Sequence, residues 1–112
     1  MTDLKSQVKQ IGSKVLNGTD YKLGMFGSRI VGKPAKFSDI DVAVMGEQKV
    51  PGYVLENLRE AFENSNLPYR VDVVDLNSSS AQFKTQVLKE VIWLYKTKFY
   101  SKKNNYKKQY SH

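Results

Sequence analysis

The sequence contains no cysteine and only one histidine. Without cysteine, the chain cannot form disulfides, thiolate zinc sites or a cysteine nucleophile. The one histidine, His112, lies at the end of a lysine-rich segment, so neither a histidine-based catalytic triad nor a histidine zinc site is expected. Any catalysis must therefore depend on carboxylates, hydroxyl groups, basic side chains and the backbone.

Long apolar runs are also missing, so we expect no transmembrane helix, and the N-terminal segment lacks the apolar core of a signal peptide. The absence of cysteine favours a reducing cytoplasm as the location. Apolar residues nevertheless make up 40% of the 112 residues. This content is sufficient for the core of one small domain.

Acidic residues are absent after Glu90, whereas six of the 18 basic residues lie beyond it. The net charge of +7 therefore belongs to the C-terminal segment and does not indicate a nucleic-acid-binding fold. We expect a folded domain over residues 1–97 and a flexible basic tail over residues 98–112, which has little apolar material to bury. A solvated tail is the simplest interpretation, and its alternatives are docking on a protein partner or base stacking by its tyrosines.

Three segments carry apolar residues at helical spacing, and polar or glycine-containing segments separate them. The predicted helices run from Leu4 to Val15, from Pro51 to Phe62 and from Phe83 to Tyr95. We expect Thr2 or Asp3 to cap the first helix, and the segments 17–18, 64–66 and 77–80 to end or cap helices.

Three further segments are predicted to be strands: Tyr21–Phe26, Asp39–Met45 and Tyr69–Leu76. In the second strand, Asp39, Asp41 and Ala43 share one face because side chains alternate along a strand. The apolar residues between them, which begin with Ile40, should pack against helices.

The stretch from Gly27 to Asp41 is the most informative part of the sequence. Gly27 and Ser28 follow a predicted strand directly, where free backbone N–H groups can bind phosphate oxygens and a small residue permits close approach. Arg29 can contact a phosphate or pair with a carboxylate. This arrangement is typical of a nucleotide phosphate site.

The alternating carboxylates of Asp39 and Asp41 point to metal binding. Residues two apart on a strand lie about 6.6 Å apart at Cα and point the same way, so their carboxylates can converge on two cations roughly 3.5–4 Å apart. The alternative is a solvated strand face with acidic residues.

Asp72 is the candidate for a third carboxylate, contributed by the next strand. A carboxylate placed between Val71 and Val73 is costly to bury without a partner, and a shared metal would offset that cost. A surface salt bridge with Arg70 is the alternative. Asp75 faces away from Asp72, so we expect a structural role for it.

The spacing of Gly27-Ser28 and Asp39-Ile40-Asp41 resembles the signature of the DNA polymerase β-like nucleotidyltransferase superfamily. The resemblance covers about Leu23 to Leu94 and is strongest to the minimal nucleotidyltransferases, antitoxin-type proteins that pair with HEPN-domain partners. It implies an α/β (α+β) fold with a small mixed sheet of three to four strands flanked by helices. One departure is Val31, where many members carry a second arginine.

The resemblance also implies residue roles, two Mg²⁺ ions, and ATP or another nucleoside triphosphate as substrate. The catalytic and metal-binding residues would be Asp39, Asp41 and Asp72. The nucleotide-binding residues would be Gly27, Ser28, Arg29 and Ser38.

The size of the chain suggests that it works with a partner, because little remains to form a base pocket or an acceptor platform. We expect a HEPN-type helical protein to complete the site, and no membrane partner. The family implies transfer of AMP to a tyrosine of a toxic ribonuclease. The alternatives are a catalytically silent subunit that neutralises its partner by binding alone, and an RNA-binding protein that uses the basic tail.

Overall fold

The computed structural model describes residues 3–27 and 40–96. The helices are α1 (Leu4–Leu16), α2 (Gly52–Glu63) and α3 (Ala81–Glu90), with a short 3₁₀ turn at Leu76–Ser78 before α3. The strands are β1 (Lys22–Phe26), β2 (Ile40–Met45), β3 (Val71–Asp75) and β4 (Ile92–Lys96). None of these three helices combines the length and apolar composition needed to cross a membrane.

The four strands form one mixed sheet in the order β3-β2-β1-β4. β1 pairs antiparallel with both β2 and β4, whereas β2 and β3 are parallel and are connected through α2. A parallel pair needs such a crossover because its strands run in the same direction. The expectation of a small mixed sheet flanked by helices is confirmed.

One face of the sheet, which we call the helical face, packs against α1 and α2. Its strand residues are Leu23, Met25, Ile40, Val42, Val44 and Val73, all buried in one cluster with residues of α1 and α2. The alternation predicted for β2 is therefore confirmed, because Ile40, Val42 and Val44 lie on this face.

The opposite face, which we call the site face, includes Phe26, Asp41, Ala43, Asp72 and Val74, since residues alternate along each strand. Its apolar cluster is smaller and includes Leu76 of the 3₁₀ turn and Val87 of α3.

The helix ends follow the predicted capping residues. Asp3 accepts a hydrogen bond of 2.7 Å from the backbone N–H of Ser6 at the start of α1, and Ser80 accepts one of 3.1 Å from Phe83 N–H at the start of α3. Pro51 precedes the first residue of α2, where its missing N–H is not needed.

The prediction of a last helix from Phe83 to Tyr95 is wrong. α3 ends at Glu90, and Leu94 and Tyr95 belong to β4. Ile92-Trp93-Leu94-Tyr95 is short, apolar and rich in residues that favour strands, so its spacing fits either structure. The open edge of β1 decides the outcome, because β4 satisfies its backbone hydrogen-bonding groups.

Two strands are shorter than predicted, and β1 begins at Lys22 rather than Tyr21. β3 covers Val71–Asp75 rather than Tyr69–Leu76, since Leu76 begins the 3₁₀ turn. β2 is described from Ile40 onward, and its predicted first residue, Asp39, lies outside the described residues.

Candidate functional site

The structure places two of the predicted site residues side by side. Asp41 on β2 is in direct register with Asp72 on the parallel neighbour β3. Residues paired in this way point to the same side of the sheet, and their strands lie about 4.8 Å apart. Two carboxylates of the predicted acidic group therefore lie next to each other on the site face.

The end of β1 reaches the same place from the other side. Phe26, the last residue of β1, pairs with Asp41, and Gly27 follows immediately. β1 ends where β2 and β3 begin, because β1 runs antiparallel to both. Gly27, Asp41 and Asp72 thus lie along one end of the sheet, in the order of the strands that carry them.

Gly27 is required at its position by the backbone and by its contact with Asp41. Its φ is +94°, which is a conformation that residues with a Cβ rarely adopt. A Cβ at this position would overlap Oδ2 of Asp41. The glycine therefore allows the chain to turn away from β1 directly over the carboxylate.

The expected burial of Asp72 is wrong. Asp72 is exposed, whereas Asp41 is half-buried. Asp72 lies on an edge strand, and its side chain points away from the helical face on which Val71 and Val73 pack. Its carboxylate therefore does not need a metal to offset desolvation.

Asp75 has the structural role that was predicted for it. It is 7% exposed and accepts hydrogen bonds from the N–H of Val50 at 3.0 Å and the hydroxyl of Ser78 at 2.6 Å. A third, from Asn77 N–H at 3.0 Å, caps the 3₁₀ turn. These bonds join the loop before α2 to the end of β3.

Glu90, which the sequence did not single out, also contacts the site. Its Oε1 accepts a hydrogen bond of 3.2 Å from the backbone N–H of Gly27, one of the donors expected to serve phosphate. The sequence predicts a helix from Phe83 to Tyr95, in which Glu90 would lie in the interior. For this reason no local pattern indicates that Glu90 contacts Gly27.

Four predicted residues lie outside the described residues: Ser28, Arg29, Ser38 and Asp39. Their assignments remain predictions. In the part of the chain that is described, no group of three or more acidic or histidine side chains is close enough to hold a metal ion. The predicted ligand set includes Asp39, and the carboxylate oxygens of Asp41 and Asp72 are the donors that Mg²⁺ prefers. The chemistry of this donor set fits the ion.

A cavity of about 350 Å³ lies between α2 and the outer edge of β3. Arg59, Phe62, Tyr69 and Arg70 contribute to its wall, together with Asp72. Gly27 and Asp41 do not line it. Of the predicted site residues that the structure describes, only Asp72 borders this cavity.

Comparison with known proteins identifies the family of this chain. The family model described as "Polymerase beta, Nucleotidyltransferase" matches residues 21–100. The chain is also 37% identical over 89 residues to the "probable protein adenylyltransferase MntA" of Haemophilus influenzae, a match that covers 78% of each protein.

Solved structures share the fold. A chain in the crystal structure of a toxin–antitoxin with AMP-PNP has a TM-score of 0.64 and 27% identity, over 90% of this chain and 87% of that one. A structure of a tri-AMPylated Shewanella oneidensis HEPN toxin in complex with an MNT antitoxin gives a TM-score of 0.59 at 24% identity, over 95% of this chain and 88% of that one. The protein belongs to the polymerase beta nucleotidyltransferase family.

Proposed function

We propose that this protein is a Mg²⁺-dependent adenylyltransferase that transfers AMP from ATP to a hydroxyl group of a protein partner. The partner is a HEPN-type toxin, the acceptor is a tyrosine, and the modification makes this chain the antitoxin of the pair. The observation that carries the proposal is the register of Asp41 with Asp72, with Gly27 turned over Asp41.

The reaction joins the acceptor oxygen to the α-phosphorus of ATP and breaks the bond from that phosphorus to pyrophosphate. Bound Mg²⁺ would neutralise the triphosphate and lower the pKa of the attacking hydroxyl. Asp39 and Asp41 would hold the ions. Asp72 would complete the ligand set and accept the proton of the hydroxyl.

The order of the strands supports a direction for this transfer. The Gly27-Ser28 segment, which would bind the leaving phosphates, follows β1. Asp41 lies on the adjacent strand β2, and Asp72 lies beyond it on the edge strand β3. An in-line displacement places the leaving group and the nucleophile on opposite sides of the phosphorus. The acceptor would therefore approach from the side of Asp72, whose exposure leaves room for a second protein.

The names of the relatives support the choice of substrate and partner. MntA of Haemophilus influenzae is described as an adenylyltransferase, and the similar toxin–antitoxin was crystallised with AMP-PNP. We place the reaction in the cytoplasm, where ATP and Mg²⁺ are abundant.

The test combines this chain with a purified HEPN-type toxin, ATP and Mg²⁺, and measures the mass of the toxin. We expect one or more added adenylyl groups and loss of the toxin's activity. Asp41→Asn should reduce the rate of transfer by roughly a hundredfold or more, because it removes a charge that holds the metal. Glu60→Gln, at an exposed position of α2, should transfer AMP at the wild-type rate.

An unchanged toxin mass would contradict the enzymatic proposal. If the double variant Asp39→Asn/Asp41→Asn still neutralised the toxin completely, protection would come from binding, and the chain would be a catalytically silent subunit.

A further inference from the structure

The Glu90 side chain contacts the backbone of Gly27 and has no role in the proposed reaction. Glu90 is the last residue of α3 and is half-buried, and its carboxylate accepts the Gly27 N–H bond of 3.2 Å. The two residues are 63 positions apart in the sequence. The bond therefore connects the end of α3 to the point where the chain leaves β1.

The register of β1 and β4 explains why these two residues meet. Met25 pairs with Ile92 in the antiparallel ladder, so a continuation by two residues on each strand brings Gly27 opposite Glu90. The backbone of Glu90 cannot continue the ladder, because it still belongs to α3, and the N–H of Val91 is bonded to the carbonyl of Val87 at 2.8 Å. The side chain of Glu90 supplies the acceptor instead.

Gly27 is thereby constrained from two directions. The Asp41 carboxylate occupies the space where a Cβ would lie, and the Glu90 carboxylate fixes the orientation of the Gly27 N–H. A hydrogen bond to an ionised acceptor is about twice as strong as one between neutral groups. The Phe26–Gly27 peptide at the end of β1 is therefore held by the Glu90 carboxylate, and Gly27 lies against the Asp41 carboxylate.

The geometry points to Glu90 as a positioning residue for the phosphate-binding turn. It acts through the Gly27 backbone and touches no substrate. This inference rests on the proposed function, since it requires Gly27 to belong to the site that binds the triphosphate. The carboxylate holds the Gly27 N–H at the point where the chain leaves β1.

The Glu90 carboxylate has two effects that can be separated by substitution: its charge and its hydrogen bond to Gly27. A carboxylate beside a phosphate site repels the triphosphate, whereas its hydrogen bond orders the turn. Glu90→Gln retains an acceptor oxygen and removes the charge. Glu90→Ala removes both. If Glu90 is a positioning residue, Glu90→Ala should weaken nucleotide binding and Glu90→Gln should not.

The first measurement is the affinity of the full-length protein for Mg²⁺ and an ATP analogue with a methylene bridge between the α- and β-phosphorus atoms. Glu90→Ala should weaken binding by about tenfold, the factor that corresponds to one lost hydrogen bond. Glu90→Gln should bind the analogue at least as tightly as the wild type. Glu60→Ala, at an exposed position of α2, is the control and should not change the affinity.

The second measurement is hydrogen exchange at the Gly27 amide, which reports the bond directly and needs no nucleotide. We expect protection in the wild type and Glu90→Gln, and exchange faster by about tenfold in Glu90→Ala. Equal protection in all three proteins would overturn the inference, as would Glu90→Ala binding the analogue as tightly as Glu90→Gln.

Failure of the proposed function would look different. In that case the wild-type protein would not bind the analogue with Mg²⁺ or modify its partner, while the exchange of the Gly27 amide would still depend on Glu90. Loss of the dependence on Glu90, with binding and AMP transfer intact in the wild type, would reject the positioning role alone.

Discussion

The two faces of the sheet differ in how they are covered and in what they carry. The helical face is buried under α1 and α2, and its strand residues are apolar except for Asp75 at the end of β3. The site face carries Asp41 and Asp72, and α3 packs on a smaller apolar cluster there, with Phe83 41% and Leu88 42% exposed. One sheet therefore has a face that supplies stability and a face that presents carboxylates.

This difference follows from the alternation of side chains along each strand. A strand can bury its apolar set on one side and expose acids on the other, with no compromise between packing and chemistry. The strands that carry the carboxylates are held in place by the packing of their other face against α1 and α2. Substitutions on the helical face should therefore change stability, whereas those on the site face should change activity.

The largest expected effect on stability is at Leu58 of α2, which is fully buried under the helical face. Leu58→Ala should lower the free energy of unfolding by about 3 kcal/mol through lost burial and the cavity that remains. Leu88→Ala, on the half-exposed surface of α3, is the matched control and should cost about 1 kcal/mol or less. Urea denaturation measures both, and equal costs would show that the two faces are packed alike.

Asp75 and Asp72 extend the comparison to two acids of one strand. Asp75→Ala should lower the free energy of unfolding by about 3 kcal/mol, because it leaves the N–H groups of Val50 and Asn77 without their acceptor. Asp72→Ala should change it by less than about 0.5 kcal/mol, since Asp72 is exposed.

The effects of Asp72→Ala and Asp75→Ala on activity should be the reverse of their effects on stability. We expect Asp72→Ala to abolish AMP transfer, measured by the mass of the partner. Asp75→Ala should retain transfer at a temperature where it remains folded. A stable, active Asp72→Ala protein would contradict the assignment of this acid to the site.

Gly27 should affect both stability and activity, because it lies beside Asp41 in a strained backbone conformation. Gly27→Ala should lower the free energy of unfolding by about 2 kcal/mol, from the strain of a positive φ and the overlap with Asp41. Gly18→Ala is the control, because Gly18 has a φ of +86° but nothing near its Cβ position. It should cost about 1 kcal/mol from strain alone. Thermal unfolding compares them, and equal costs would mean that Asp41 moves aside.

The smallest expected effect is at Asp3, which caps the helix that covers the helical face. The backbone N–H of Ser6 lowers the pKa of Asp3 below its ordinary value of 3.8. A carboxyl with a lowered pKa contributes stability above its unfolded pKa, and that contribution is lost as the pH falls through the folded value. Asp3→Asn keeps an acceptor but cannot titrate.

The stability difference between the wild type and Asp3→Asn should therefore be constant from pH 7 to about pH 5 and should shrink below about pH 3.8. Urea denaturation at each pH measures it. A difference that grows on acidification would show that Asp3 does not act as an ionised cap.

The helix caps and the faces of β2 followed from the sequence because they depend on neighbours a few residues away. Asp3 and Ser80 cap the helices they precede, and the alternation after Ile40 gave the correct buried set. The Ile92–Lys96 segment was misassigned, because four apolar residues fit a helix turn as well as a strand. Only the free edge of β1 distinguishes the two.

The sequence by itself determined which residues carry carboxylates, where the chain must turn at a glycine and which face of β2 is apolar, since these depend on residue type and local periodicity. Only the tertiary structure decided that Asp41 is in register with Asp72, that Asp72 is exposed and that Glu90 holds the Gly27 N–H. Those relations depend on strand order and pairing, which are set by packing between segments far apart in the chain.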